Sequence, residues 1–147
     1  MRRKIALSIY SVIGLVNLVL GSIYFTSDEF LTYHSQAIGA SWEEVDPGTQ
    51  TLILALMKVA GGGWCALGFF TITIALSELK RSGTLARWTL PAGTLFFYLP
   101  TLAATWSVYR ETGAQSPWAP SLAIIMLTLV AMVIHVPWPT QSPAKDS

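Results

Sequence analysis

Residues Thr49–Leu76 read TQTLILALMKVAGGGWCALGFFTITIAL, and this stretch decides the fold. A helix needs roughly 20 mostly apolar residues to cross a bilayer, and this run exceeds that. It carries one charge, Lys58, and three consecutive glycines, Gly61, Gly62 and Gly63. Lipid tails give helices no hydrophobic reason to associate, so close approach at small residues does that work. At helical spacing Gly61, Cys65 and Gly68 share one face, which predicts a packing seam. The alternative is a cavity or hinge at the glycine run.

Lys58 also has two readings. An ionisable side chain within a membrane is a functional-site hypothesis by default. It stands about 12 Å along the helix from the start of the segment, at ~1.5 Å per residue. A lysine at that depth can also snorkel to water or find a pairing partner.

Working outward, the chain has 147 residues, of which 52% are hydrophobic and 12% charged. Soluble domains carry about 25% charged residues, so a single integral membrane domain over 1-147 is expected. The net charge of +1 and the absence of a clustered basic patch exclude a nucleic-acid partner. The lone Cys65 excludes an intrachain disulfide, a paired-cysteine redox site and a cysteine-rich zinc site.

Upstream, Met1-Arg2-Arg3-Lys4 precedes an apolar run to Phe25. It is longer than a signal-peptide core and lacks a small-residue cleavage site. Gly14, Asn17 and Gly21 share a face of this first span. Asn17 is its one strongly polar side chain, suited to an interhelical hydrogen bond or a ligand contact. Residues 26 to 48 leave the membrane. A capping box from Thr26 to Glu29 predicts a helix start, and Phe30, Tyr33, His34, Ala37 and Ile38 recur at helical spacing up to Gly39. A second box runs from Ser41 to Glu44, and Asp46-Pro47-Gly48 forms a turn. The segment is read as an amphipathic cap on the first extracytoplasmic loop.

Downstream, Ser77–Arg87 forms a cytoplasmic connection. A third span covers about 88–109, with Pro91 and Pro100 inside it; Pro100 should kink the helix and free the carbonyl of Phe96. Thr101 and Thr105 follow on a common face. Ser116-Pro117 starts a fourth span over 118–136, which Pro137-Trp138-Pro139 ends. The spans are therefore about 5–25, 50–76, 88–109 and 118–136, and the fold expected is an all-α, four-helix transmembrane bundle. Arg2, Arg3, Lys4, Lys80, Arg81, Arg87 and Lys145 fall on one side and Arg110 on the other. The positive-inside rule then makes both termini cytoplasmic. Trp88 and Trp138 would mark the inner interface, and Trp42, Trp106 and Trp118 the outer one.

Matching depths along the spans brings Asn17, Lys58 and Pro100–Thr101 to one level. A polar pocket of Lys58, Asn17, Thr101 and Thr105, with Glu43 and Glu44 above it, is the ligand-binding hypothesis. Gly14, Gly21, Gly61, Cys65 and Gly68 are the helix-packing residues. No nucleophile–base constellation, phosphate loop or dinucleotide fingerprint occurs, and no cofactor or metal is expected. His34 lacks the arranged partners zinc requires.

Tyr33-His34-Ser35-Gln36-Ala37-Ile38-Gly39, Trp42-Glu43-Glu44-Val45-Asp46-Pro47-Gly48 and Leu54–Gly63 resemble stretches of small bacterial inner-membrane proteins. So do Phe97-Tyr98-Leu99-Pro100-Thr101 and Ser116-Pro117-Trp118. In outline the chain is similar to DoxX-like four-helix membrane proteins. The resemblance implies a bacterial inner-membrane location and carries no activity over. Small multidrug exporters place a glutamate in the first span, where this chain has Asn17. The leading functional expectation is a non-enzymatic accessory or assembly subunit of a membrane complex. The alternatives are a small-molecule, quinone or lipid-binding protein using the Lys58 region, and a homo-oligomeric transporter. The expected partners are membrane lipids, with other subunits or further copies of the chain beside them.

Overall fold

A computed structural model describes residues 1–80 and 85–135. Arg81 and the Ser82-Gly83-Thr84 turn lie outside the described residues. So do Val136, the Pro137-Trp138-Pro139 stop, the Trp138 interface marker, Lys145 and the tail to Ser147. Among the described residues the fold is all-α, with four long helices and one short one. They are α1 (Arg2–Thr26), α2 (Thr32–Ile38), α3 (Pro47–Lys80), α4 (Leu85–Thr112) and α5 (Trp118–His135). A 3-10 turn, Trp42–Glu44, lies between α2 and α3.

Helices α1, α3 and α5 are long and apolar enough to cross a membrane. The fourth span expected from sequence corresponds to α4, which has the length but falls short in hydropathy. Its threonines at 89, 94, 101, 105 and 112, with Pro91, Pro100 and the terminal Arg87, Arg110 and Glu111, account for the difference. The helix runs through both prolines. Outward faces are apolar: Val59 is 75% and Phe96 85% exposed, with Val12, Leu15, Leu52 and Leu56 also open. Soluble monomers rarely present apolar surface on this scale.

Helices α1 and α3 meet backbone to backbone. A Cβ on Gly21 would stand 2.7 Å from the carbonyl oxygen of Gly61, and one on Gly61 2.7 Å from that of Gly21. Gly14 and Gly68 repeat the arrangement one seven-residue step along, with a Cβ on Gly68 falling 2.6 Å from the Gly14 oxygen. Cys65 packs its sulfur against Gly21. Only residues without a Cβ allow backbones this near, and near approach is what supplies dispersion attraction in lipid. Of the glycine run, Gly61 sits in this seam, Gly63 touches Phe97 and Gly62 meets nothing within 4 Å.

Helix α1 also packs on α5, and α5 on α4, whereas α3 and α4 touch little. Leu7, Tyr10 and Ile13 are wholly buried against Ala75, Leu90, Ile124 and Ala131. Two buried threonine hydroxyls are satisfied within their own helices: Thr94 donates to the Leu90 carbonyl (2.9 Å) and Thr128 to that of Ile124 (2.7 Å). This i−4 bonding lets threonine sit in an apolar interior.

The connection from α1 to α3 differs from the sequence reading at its start. Thr26 belongs to the last turn of α1 and donates to the Ser22 carbonyl (2.8 Å), so no helix begins at a Thr26–Glu29 box. The next helix starts at Thr32, where the Leu31 N–H donates to Nδ1 of His34 (3.1 Å). A histidine here does the work the box assigns to Glu29. Gly39 ends α2 at φ 73°, a conformation glycine adopts without strain. The Ser41 N–H donates to Oε2 of Glu44 (2.7 Å). Asp46 caps α3 by accepting from the Thr49 N–H (3.0 Å). The bonds from Thr49, side chain first and backbone second, hold the Asp46 carboxyl below the usual carboxylate range.

Candidate functional site

Three aromatic side chains meet beneath α2. The hydroxyls of Tyr24 and Tyr33 are 2.6 Å apart, and Trp64 stands edge-on to Tyr24 at 4.6 Å between centroids. The rings of Tyr33 and His34 lie 3.9 Å apart. Helix α2 is held there by its Leu31–His34 cap and by Gln36, whose Oε1 accepts from the Gln115 N–H (2.9 Å) across the bundle. Burial raises the pKa of the Tyr33 hydroxyl, and its bond to Tyr24 adds to the effect. Burial also lowers that of His34, favouring the neutral imidazole that accepts from Leu31.

This aromatic group lines a cavity on each side. One, of about 430 Å³, lies against α1 and α5 and includes Leu20, Tyr98 and Ile124 in its wall. The other, of about 410 Å³, lies between α3 and α4 and includes Met57, Phe97, Thr101 and Thr105. Tyr24, Tyr33 and Trp64 belong to both walls. The second cavity lies where α3 and α4 touch little.

At the floor of the first cavity the Tyr98 hydroxyl donates to Oδ1 of Asn17 (2.6 Å). Asn17 is wholly buried, and its Nδ2 has no hydrogen-bond partner among the described residues. The Trp64 Nε1 lies near the Tyr98 hydroxyl without reaching hydrogen-bond geometry, and it too has no partner. A buried donor left unmade costs about 1–3 kcal/mol. An apolar space with one or two unsatisfied N–H groups at its edge matches the general pattern of small-molecule sites.

The residues singled out from sequence do not all converge here. Lys58 is exposed on the outside of α3 and makes no hydrogen bond or ion pair among the described residues. Asn17 is in the core, so the two stand apart. Thr101 and Thr105 line the α3–α4 cavity, and their hydroxyls donate to the carbonyls of Phe97 (2.8 Å) and Thr101 (2.9 Å). Glu43 and Glu44 are exposed at the 3-10 turn. Gly14, Gly21, Gly61, Cys65 and Gly68 are in the α1–α3 seam. Sequence reasoning missed Tyr24, Trp64 and Tyr98 as a group. The signal was available for two of them: Trp64 and Tyr98 each carry a donor on a ring near the middle of a span, away from the interface level where such rings collect, whereas Tyr24 stands in the last turn of α1.

A second polar group closes the opposite end of the bundle. Arg3 donates from its guanidinium to the backbone carbonyl of Glu78, and its Nε is 4.0 Å from the Glu78 carboxylate. Arg87 and His135 stand in the same group. Among the described residues no three His, Cys, Asp or Glu side chains gather as metal ligands would. The class this fold defines is an all-helical chain with three helices fit to cross a membrane. Set against protein-family models, curated proteins and solved structures, the chain matches none of them.

Proposed function

We propose that the chain is a multi-pass protein of the bacterial inner membrane that holds an apolar small molecule, of the quinone or lipid class, beneath α2. Its termini are cytoplasmic, and α4 crosses the membrane as a fourth span, shielded by α5. The observation that carries the reading is Trp64: its Nε1–H makes no hydrogen bond among the described residues although it stands in the wall of two apolar cavities. A carbonyl or ester oxygen on the ligand would accept from it. Entry is lateral from the bilayer, because the exposed Val16 and Ile23 form the outer lip of the first cavity. Lys58 has a different role in this reading. Helix α3 is about 50 Å long and overreaches a hydrocarbon core of ~30 Å at both ends. Lys58 then lies only a few ångströms below the outer boundary, within snorkelling reach.

The test uses the full chain in lipid nanodiscs, titrated with a short-tailed benzoquinone while tryptophan fluorescence is followed. Saturable quenching is expected, weakened about five-fold in Trp64→Phe, the worth of one neutral hydrogen bond of ~1 kcal/mol. Quenching that grows linearly with quinone and is indifferent to Trp64 would sink the reading.

The accessory-subunit reading has its own support. Ala55, Gly62 and Ala66, with Val59 among them, form an outward stripe of small residues on α3. Such stripes receive partner helices in lipid. Gentle extraction of a tagged copy followed by native mass spectrometry separates the two. Another protein at fixed stoichiometry supports the subunit, and a lone chain carrying a small molecule supports the binding protein.

A further inference from the structure

The end of the bundle remote from the aromatic cavities collects one ionisable side chain from each long helix. Arg3 comes from the first turn of α1, Glu78 from the last turn of α3, Arg87 from the first turn of α4 and His135 from the last residue of α5. Glu78 and His135 are each 7% exposed. With the imidazole neutral, two guanidiniums and one carboxylate leave the group with one net positive charge.

Part of this group is an ordinary structural ion pair. Arg3 is committed to Glu78, through the backbone carbonyl and the neighbouring carboxylate. Even so, three buried nitrogens of the group, the ion-paired Nε of Arg3 among them, make no hydrogen bond among the described residues. They are Nε of Arg3, Nε of Arg87 and Nδ1 of His135, each buried and each without a hydrogen-bond partner among the described residues. Two of them are N–H donors on permanent cations, for which a missing acceptor is more costly than for a neutral group. A third, on a side chain more than nine-tenths buried, belongs to the residue type that donates readily to an oxyanion. A single ligand bearing several acceptor oxygens around one negative charge answers all three. Guanidiniums match that geometry through paired donors.

We infer that Arg3, Arg87 and His135 form a binding site for a phosphate group at the inner end of the bundle, with Glu78 orienting Arg3 rather than contacting the anion. Two sources share this chemistry: the phosphodiester of an anionic phospholipid, whose headgroup would lie at this level, and free inorganic phosphate. The site is independent of the aromatic cavities, which lie at the other end of the same helices.

The experiment takes the delipidated full chain in neutral detergent. Native mass spectra are recorded with phosphatidylglycerol and with phosphatidylcholine, and melting is followed with inorganic phosphate against chloride at equal ionic strength. For a lipid source, phosphatidylglycerol is retained at least ten-fold better than phosphatidylcholine. That preference falls to near unity in Arg87→Gln and His135→Gln and persists in Arg110→Gln at the opposite end. For free phosphate, the melting temperature rises with phosphate and not with chloride, and the rise is lost in the same two variants. Equal retention of both lipids together with no phosphate-specific shift in the wild-type chain overturns the proposal. That comparison stands even where a variant fails to fold. A preference unchanged in a folded Arg87→Gln overturns it as well.

Discussion

Gly21 and Gly61 meet backbone to backbone: a Cβ built on either would come 2.7 Å from the other's carbonyl oxygen. Apart from the Cys65 sulfur beside Gly21, what an added methyl would meet is backbone, which cannot move aside, so the methyl must push the helices apart. Gly21→Ala and Gly61→Ala are each expected to cost about 1–3 kcal/mol, the usual range for overpacking. Gly62→Ala should be neutral or stabilising by about 0.5–1 kcal/mol, since Gly62 meets nothing and alanine is the better helix former. Thermal unfolding in one detergent checks all three. Equal losses at Gly61 and Gly62 would mean that helix propensity, not the seam, governs this region.

Asn17 and Tyr98 are separated by 81 residues and joined by one hydrogen bond of 2.6 Å. Tyr98→Phe strips the buried amide of its one hydrogen-bond donor and should cost about 1–2 kcal/mol. Asn17→Leu with Tyr98→Phe removes both polar partners and should recover much of that loss. A double-mutant cycle on unfolding free energy measures the coupling, expected near ~1 kcal/mol within the membrane. Additive losses would show the bond to be idle.

The α2 cap should loosen in acid. Burial holds the His34 pKa below its ordinary value of ~6.5. Above that pH both the docked and the undocked histidine are neutral, and docking has its full strength. As pH falls below ~6.5 the undocked histidine takes up a proton first, so docking weakens until the docked value is passed. Protonation also ends the acceptance from the Leu31 N–H. Protection from hydrogen exchange across 31–39, taken relative to the intrinsic rate, should fall as pH drops below ~6.5, and His34→Ala should abolish that dependence. A flat profile in the wild-type chain contradicts this.

Lys58→Met should leave both co-purifying small molecules and folding intact, and raise the inserted fraction. Its ammonium is exposed and unpaired among the described residues, and a cation at depth in a helix opposes insertion by up to about 3 kcal/mol. Mass spectrometry of extracted ligand and a glycosylation-based insertion assay read the two effects. Loss of the small molecule would bring Lys58 back into the site.

Trp64→Phe keeps the ring in the Tyr24 contact and removes the one indole N–H on the cavity wall. Without ligand, the variant should be at least as stable as the wild type, because an unsatisfied buried donor has gone. With ligand, its stabilisation should shrink. Melting with and without a short-tailed benzoquinone gives both numbers, and a drop in the ligand-free melting temperature would show that Trp64 already has a partner.

Much of the local structure was legible in the sequence. Long apolar runs marked where α1, α3 and α5 would form, and Gly39 and the Ser41–Glu44 pair marked the punctuation between them. These features depend on residues a few positions apart, whose relation the helix or turn geometry fixes. Thr26 shows the limit of that logic. Its hydroxyl had a choice between a new cap and the Ser22 carbonyl behind it, and continuing α1 satisfied more backbone groups.

The sequence by itself determined an all-helical chain, the apolar helices fit for a bilayer and a face of α3 able to approach another backbone closely. Only the tertiary structure decided which helix meets that face, that Asn17 bonds to Tyr98, that Lys58 turns outward, and that Arg3, Glu78, Arg87 and His135 gather at one end. The physical reason is rotational. Periodicity says which residues share a face of one helix, but in lipid hydrophobicity does not fix which way that face turns. Small-residue packing and a few buried polar bonds between distant positions fix it, and those pairings exist only once the helices are side by side.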